Sequence, residues 1–273
     1  MKISKNFVVA APGVAIELLA TAVPALSKAR LKDAMSKGAV LWRRAKQHKR
    51  LRRAQAELLA GDRLELNYDD ELLARHCDDA VLLQDEQHYS LWFKPAGMLS
   101  QGNEWGDHLS LLRFAEQHWQ NKRPVFLLHR LDREASGLVL LAHSKAAAAA
   151  LGQLLQQHQI NKTYRIKVKG LPAGQGKIEL PLDGKDCQTR YQRISTDEQA
   201  QCSVVEVDLI TGRKHQIRRH FAAIGHPVLG DPAYGSGNKN QQGLMLQAIR
   251  LSFRCPLLKK LQVFELPASL RQC

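Results

Sequence analysis

A chain of 273 residues, 44% hydrophobic and 24% charged, can form one large domain with a small appendage and has the balance of a soluble globular protein. No apolar stretch approaches the roughly 18 to 20 residues of a membrane span. The five cysteines are scattered without C-x-x-C spacing, which argues against a disulfide framework and a structural zinc site. The formal net charge is +14, unevenly spread. Between Ser27 and Arg53 eleven Lys or Arg face a single acid, Asp33, so this stretch carries +10 and the rest of the chain +4. Seven of the eleven residues 43 to 53 are basic. Like charges so close repel without a polyanionic partner, and nucleic acid supplies one through counterion release. A solvated helix face is the plainer alternative.

The opening run, MKISKNFVVAAPGVAIELLATAVPALSKAR, has the basic start and apolar stretch of a signal peptide, but Pro12, Gly13 and Glu17 interrupt it. A folded segment of a cytoplasmic protein is expected instead. GVAIELLATAVPAL and SKARLKDAMSKGAV read as two short helices around a proline break. Ser27 is the N-cap of the second, Leu31, Ala34 and Met35 its apolar face, and Gly38 its stop. AVLW then has the look of a strand. LLAGDRLELNY gives a Gly-Asp turn into a half-buried strand alternating Leu64, Leu66 and Tyr68. DDELLARHCDDA is polar enough for a linker, which places a boundary between regions 1–77 and 80–273.

In the second region AVLLQDEQHYSLWFKPAG predicts two strands and a turn, HLSLLRFAEQHW a helix, and VFLLHRLD with SGLVLLAHS a pair of core strands. KAAAAALGQLLQQHQ is rich in helix formers, while KTYRIKVKG and SVVEVDLI alternate with the period of strands. Many short strands, interspersed helices and no regular βαβ alternation predict an α+β fold on a mixed, mostly antiparallel sheet.

Two stretches can carry chemistry. In HRLDREASGLVLLAHS, Asp132 stands between Arg130 and Arg133 at the entry to an apolar run. Flanking positive charge keeps such a carboxylate ionised and usable as nucleophile or base. A surface ion pair is the ordinary alternative. The segment TGRKHQIRRHFAAIGHPVLGDPAYG concentrates Arg213, His215, Gln216, Arg218 and His220 before a loop fixed by glycines and prolines. Polar groups this dense face solvent or a site, because burying them unpaired is costly. Taken alone, a basic surface helix explains it equally well.

Together, HRLDREASGLVLLA, NKTYRIKVKG and LITGRKHQIRRHFAAIGHPVLGDPAYG closely resemble the RluA-type family of RNA pseudouridine synthases, with KPAGMLSQG and GLMLQAIRLSF as flanking motifs. The resemblance spans about residue 88 to the C-terminus. LSKARLKDAMSKGAV and AGDRLEL further resemble the alpha-L RNA-binding module of a small-subunit ribosomal protein, with RRAKQHKRLRR replacing that module's short Asn-Gly turn. The first resemblance implies that Asp132 is the catalytic aspartate, that Arg218 pairs with it, and that Tyr164 packs on the target base and takes part in proton transfer. It further implies that Arg130 enters the RNA stack when the uridine flips out and that Ile217 lines the base pocket. Lys94, Arg213, Arg43, Arg44, Arg50 and Arg53 are the candidate phosphate contacts. No cofactor and no metal is implied. Phe93, Ala135, Lys214 and Gln247 depart from the family's usual residues around the site.

The expected activity is isomerisation of a uridine in structured RNA to pseudouridine, in large-subunit ribosomal RNA first and transfer RNA second, by a monomer that binds no membrane. A catalytically inactive RNA-binding or ribosome-assembly protein is the main rival, set against the presence of all three of Asp132, Tyr164 and Arg218. A glycosidase using Asp132 and Glu134 has no further support, and HRLD is followed by no glycine-rich loop or D-F-G of a kinase.

Overall fold

The computed structural model describes residues 1–272, which form two compact units. The first joins Met1–Cys77 to Gln101–His118; the second joins Asp78–Ser100 to the chain from Trp119 onward. Residues 101–118, which the sequence boundary assigns to the second region, therefore pack in the first. Asp107 explains the placement, because its carboxylate pairs with Arg50 and Arg52 of the basic stretch.

In the first unit the chain runs through β1 (Lys2–Val8), β2 (Gly13–Val14), α1 (Ala15–Ala22), α2 (Lys28–Ser36), β3 (Val40–Arg44), β4 (Gln47–Arg50), β5 (Glu57–Leu58), β6 (Arg63–Asp69) and α3 (Asp70–Leu73), with α4 (Leu111–His118) from the later segment. Ser27 caps α2 by accepting from the Arg30 N–H at 3.3 Å, and Gly38 ends it at φ 79°. Leu31, Ala34 and Met35 are fully buried with Leu64, Leu66 and Trp42, over a sheet of order β1-β6-β3-β4. The basic stretch is an antiparallel hairpin, Arg43 opposite His48, turning at Ala45.

The second unit contains β7 (Val81–Asp85), β8 (Tyr89–Lys94), β9 (Phe126–Leu127), β10 (Ser136–Ala142), α5 (Lys145–Gln156), β11 (Asn161–Lys169), β12 (Gln175–Ile178), β13 (Thr189–Asp197), β14 (Cys202–Leu209), α6 (Gln216–Ala223), β15 (Leu246–Arg254) and β16 (Leu261–Glu265). Its sheet has the order β12-β13-β14-β11-β15-β10-β8-β7, with β16 on β15 and β9 on β10. Every named pairing is antiparallel except β10 with β15. All seven residues of β10 are buried, which accounts for its unbroken apolar run. At the parallel rung Gly137 (φ 116°) lies so near its neighbour that a Cβ there would sit 2.3 Å from the Ala248 carbonyl oxygen. Only glycine permits that approach.

Two expectations need correction. VFLLHRLD pairs with β10 only at Phe126 and Leu127; residues 128–135 are irregular because side chains, not a ladder, hold them. The helix expected through Arg213 begins at Gln216, after His215 has turned left-handed (φ 55°). Among the described residues no helix is long and apolar enough to cross a membrane.

Candidate active site

Asp132 sits in the loop that enters β10, and bonds from three sides fix that loop. The Ser100 hydroxyl donates to the Leu131 carbonyl at 2.8 Å and accepts from the Leu131 N–H at 2.9 Å. Gly97 N–H donates to the Arg133 carbonyl at 2.7 Å. The Lys94 ammonium, 0% exposed, donates to the carbonyls of Met98 and Ala135 at 2.7 Å each and of Pro95 at 3.0 Å. Lys94 is therefore not a phosphate contact. Its charge is buried among carbonyl dipoles that join the KPAGM turn to the Asp132 loop, so the sequence assignment of that residue is corrected.

Across from Asp132, α6 supplies Arg218, 2% exposed, whose guanidinium bridges two carboxylates. Its Nη1 donates to Asp132 Oδ2 at 3.0 Å, while Nε and Nη2 grip Asp231 in a two-point bond at 2.7 Å each. Burial by itself would lower the Arg218 pKa, but the bonds to Asp231 and Asp132 outweigh it and raise it. Asp231 is pulled the opposite way to its own burial. Arg218 and the N–H groups of Ala233 and Tyr234, at 2.8 and 3.1 Å, hold its carboxyl below the usual range. The Asn238 amide donates to the carbonyls of Val228, Asp231 and Tyr234 and so closes the loop that carries Asp231.

A second ring of contacts encloses the same carboxylate. His215 Nε2 lies 3.6 Å from Asp132 Oδ1, and its Nδ1 is 2.9 Å from the Tyr234 hydroxyl. The Arg218 guanidinium stacks over the Tyr234 ring at 5.2 Å. Burial lowers the His215 pKa against the pull of Asp132, which keeps the imidazole neutral near pH 7. Gln216 fixes the turn before α6, accepting from the Thr211 hydroxyl and the Arg213 N–H and donating to the Gln188 carbonyl and the Thr189 hydroxyl.

Tyr164 comes from β11, where the register against β15 shifts between Thr163 and Tyr164. Such a bulge re-aims a side chain. Burial and the nearby Asp132 charge push the Tyr164 pKa up, so the phenol stays protonated. Asp132, Tyr164, Arg218, Arg130, Arg213 and Ile217 all line one cleft, with His215 and Gln216.

The remaining sequence candidates lie in the first unit and divide. Arg44 holds the buried Asp62 carboxylate through two bonds of 2.7 Å, and Arg50 binds Asp107 and the backbone carbonyls of Gly38 and Asn103. Both are structural ion-pair partners rather than open phosphate contacts, which corrects their assignment. Arg43 and Arg53 are exposed. Asp231 and Tyr234 are site residues that the motifs alone do not single out, whereas His215 and Gln216 lie in the polar segment the sequence marks, without a role assigned to either. The one signal for Asp231 is an acid placed amid the glycines and prolines of HPVLGDPAYG.

Comparison with known proteins gives the class. Residues 88–223 match the family described as RNA pseudouridylate synthase. Ribosomal large subunit pseudouridine synthase D of Zymomonas mobilis is 32% identical over 218 residues, covering 68% of this chain and 68% of the relative. tRNA pseudouridine synthase C of Haemophilus ducreyi is 32% identical over 226 residues, covering 70% of this chain and 91% of the relative. The structure of human RNA Pseudouridylate Synthase Domain Containing 4 is similar at a TM-score of 0.55 and 25% identity, over 69% of this chain and 89% of that one. The chain belongs to the RNA pseudouridine synthase family, in its RluA-type branch, and is an RNA-modifying isomerase.

Proposed function

We propose that Asp132 is the carboxylate that drives the isomerisation, with Arg218 holding it ionised and aimed and Tyr164 stacking on the uracil. The observation that carries this reading is the Asp132–Arg218–Asp231 bridge, a single buried guanidinium set between two carboxylates. Asp231 satisfies two of the guanidinium's donor positions, so Arg218 presents the remaining edge to Asp132 in a fixed direction. The reaction breaks the bond from the ribose C1′ to N1, turns the uracil, and joins C1′ to C5; N1 gains a proton and C5 loses one. A carboxylate beside the sugar, a neutral aromatic face and a flipped base meet those needs. A protonated Tyr164 stacks on uracil without adding charge and offers a hydroxyl for the proton movement at C5. Arg130, exposed at the cleft, takes the place of the flipped base in the stack, and Ile217 walls the base pocket.

The RNA acted on is ribosomal RNA of the large subunit first, an order that rests on the basic N-terminal unit, and transfer RNA second; the names of the relatives above support both classes. The first unit is an RNA-binding module, supported by its exposed basic hairpin, and the protein works as a cytoplasmic monomer. Mapping pseudouridines in total RNA from a strain lacking this gene, complemented with wild type or Asp132→Asn, tests the reading. One site lost and restored by wild type alone supports both reaction and residue. Restoration by both versions removes Asp132 from its role.

A further inference from the structure

The roles proposed for Asp132, Arg218 and Tyr164 leave His215 without one, yet His215 gives up two local preferences to stand where it does. As the N-cap of α6 its backbone is left-handed (φ 55°, ψ 26°) instead of extended, and its side chain makes no cap bond. Backbone cost of this kind persists only where the surroundings enforce it, and it gathers at functional sites. The imidazole turns into the cleft instead. Its Nδ1 lies 2.9 Å from the Tyr234 hydroxyl and its Nε2 3.6 Å from Asp132 Oδ1. Arg218 bonds the other oxygen, Oδ2, so the two side chains address different oxygens of one carboxylate.

Charge decides which ring nitrogen carries the proton. With the proton on Nδ1, the Nε2 lone pair would face an ionised oxygen and repel it. With the proton on Nε2, an N–H dipole faces Oδ1, and Nδ1 is free to accept from the Tyr234 hydroxyl. The second arrangement suits all three groups. Arg218 favours it as well, because its guanidinium over the Tyr234 ring, 5.2 Å away, makes the phenol a better donor. Edge-on packing of the His215 and Tyr234 rings, centroids 5.6 Å apart, keeps the imidazole in place. A shift of about half an ångström would bring Nε2 within hydrogen-bond reach of Oδ1.

We infer that His215 is a positioning residue for the isomerisation: its Nε2–H, selected by the Tyr234 hydroxyl, steadies Asp132 Oδ1 while Arg218 holds Oδ2, so the carboxylate meets the ribose in one orientation. The inference rests on the catalytic role proposed for Asp132. Lys214 and Arg218 on its own segment, Asp132 and Asp231 on the facing loops, and Arg130, Arg213, Tyr164 and Tyr234 along the cleft are the charged or titratable groups around the ring. Burial outweighs the pull of Asp132 and keeps the imidazole neutral near pH 7. A charged imidazole would make a second ion pair with Asp132 and weaken the carboxylate as nucleophile or base. The rate therefore falls as pH drops through the His215 pKa, which lies below the ordinary 6.5.

The test uses the full chain, with total RNA from a strain lacking this gene as substrate. His215→Ala, His215→Gln, Tyr234→Phe and Asp132→Asn are compared with wild type by RNA affinity, melting temperature and single-turnover rate at saturating RNA. Rates are taken from about pH 5 to pH 9, which brackets histidine titration. His215→Ala should lower the saturating rate about 10²-fold, the scale of a misplaced reacting group, with RNA affinity unchanged. His215→Gln keeps a neutral N–H donor at similar reach. It should recover most of that loss and remove the fall in rate through the histidine range. Tyr234→Phe keeps the ring over Arg218 and lacks only the hydroxyl, so it should lower the rate by less, with the melting temperature near wild type. A wild-type saturating rate for His215→Ala overturns the inference, as does an acid limb that His215→Gln leaves in place. If His215→Ala does not fold, a wild-type rate for Tyr234→Phe together with an unchanged acid limb in His215→Gln overturns it equally. Asp132→Asn keeps the two readings apart. A wild-type rate there removes Asp132 from its role, whereas an inactive Asp132→Asn beside a fully active His215→Ala removes only His215.

Discussion

Arg218 lies buried between two carboxylates, whereas Lys46 and Lys49 of the basic hairpin, and Arg53 just after it, face solvent with no acidic partner among the described residues. Both regions are cationic, and their neighbours use the charge in opposite ways. Around Arg218 each guanidinium nitrogen donates to a carboxylate, so the guanidinium acts as a fixed geometric element that orients Asp132. On the hairpin the charge stays unassigned, which suits a mobile polyanion met over many arrangements. Neither region is uniform. Arg44, Arg50 and Arg52 belong to the basic stretch by sequence, yet Asp62 and Asp107 pair with them.

The sharpest way to break this contrast is Asp132→Asn. Pseudouridine formation should fall by on the order of 10⁴-fold, the usual scale for losing an essential catalytic group. RNA affinity and melting temperature should stay near wild type, because Arg218 keeps both bonds to Asp231. Equal losses of affinity and rate would instead make Asp132 a binding residue.

Asp231→Ala attacks the other end of the bridge. It leaves a buried guanidinium with one partner, which should cost about 3–5 kcal/mol in urea unfolding and reduce turnover as Asp132 loses its aim. Its pH dependence has a definite sign. The folded Asp231 pKa is depressed, so its stabilisation is present above the ordinary carboxylate value near pH 4 and is lost as pH falls through the folded value. Asp231→Asn should therefore lose less stability than wild type as pH falls below about 4. An unchanged acid limb would mean that Asp231 is not charged in the native state.

In the basic stretch, Lys46→Gln/Lys49→Gln/Arg53→Gln should flatten the salt dependence of RNA binding by about two units of slope, leaving the melting temperature and the saturating rate unchanged. This probes the module more cleanly than deleting 1–77, since a truncation would also strip Asp107 and its segment of Arg50 and Arg52. The smallest effect on RNA is expected for Arg44→Gln. It should lower the melting temperature by releasing the buried Asp62 carboxylate, with the salt slope close to wild type. A large slope change there would return Arg44 to the RNA-facing set.

Periodicity and end signals are enough to find most elements. Ser27 and Gly38 bracket α2, the alternation of Leu64, Leu66 and Tyr68 marks β6, and the unbroken apolar run of β10 marks a strand buried on both faces. Ordered motifs lead to Asp132, Tyr164, Arg213, Ile217 and Arg218, which meet in one cleft although 86 residues separate the two ends of the Asp132–Arg218 bond. Hydrophobic pattern and turn chemistry are local properties, so a linear reading reaches them.

Partnership is not local, and there tertiary structure decided. A lysine beside a Pro-Ala-Gly turn looks like a phosphate ligand until four backbone carbonyls converge on Lys94. Seven basic residues look alike until Asp62 and Asp107, distant in sequence, select Arg44, Arg50 and Arg52. Asp231 reads as one residue of a rigid loop until Arg218 reaches it. The sequence by itself determined which residues carry charge and which segments are buried. Folding decided which charges neutralise one another, because the energy of a charge depends on what lies within a few ångströms of it, and chain neighbours are only part of that company.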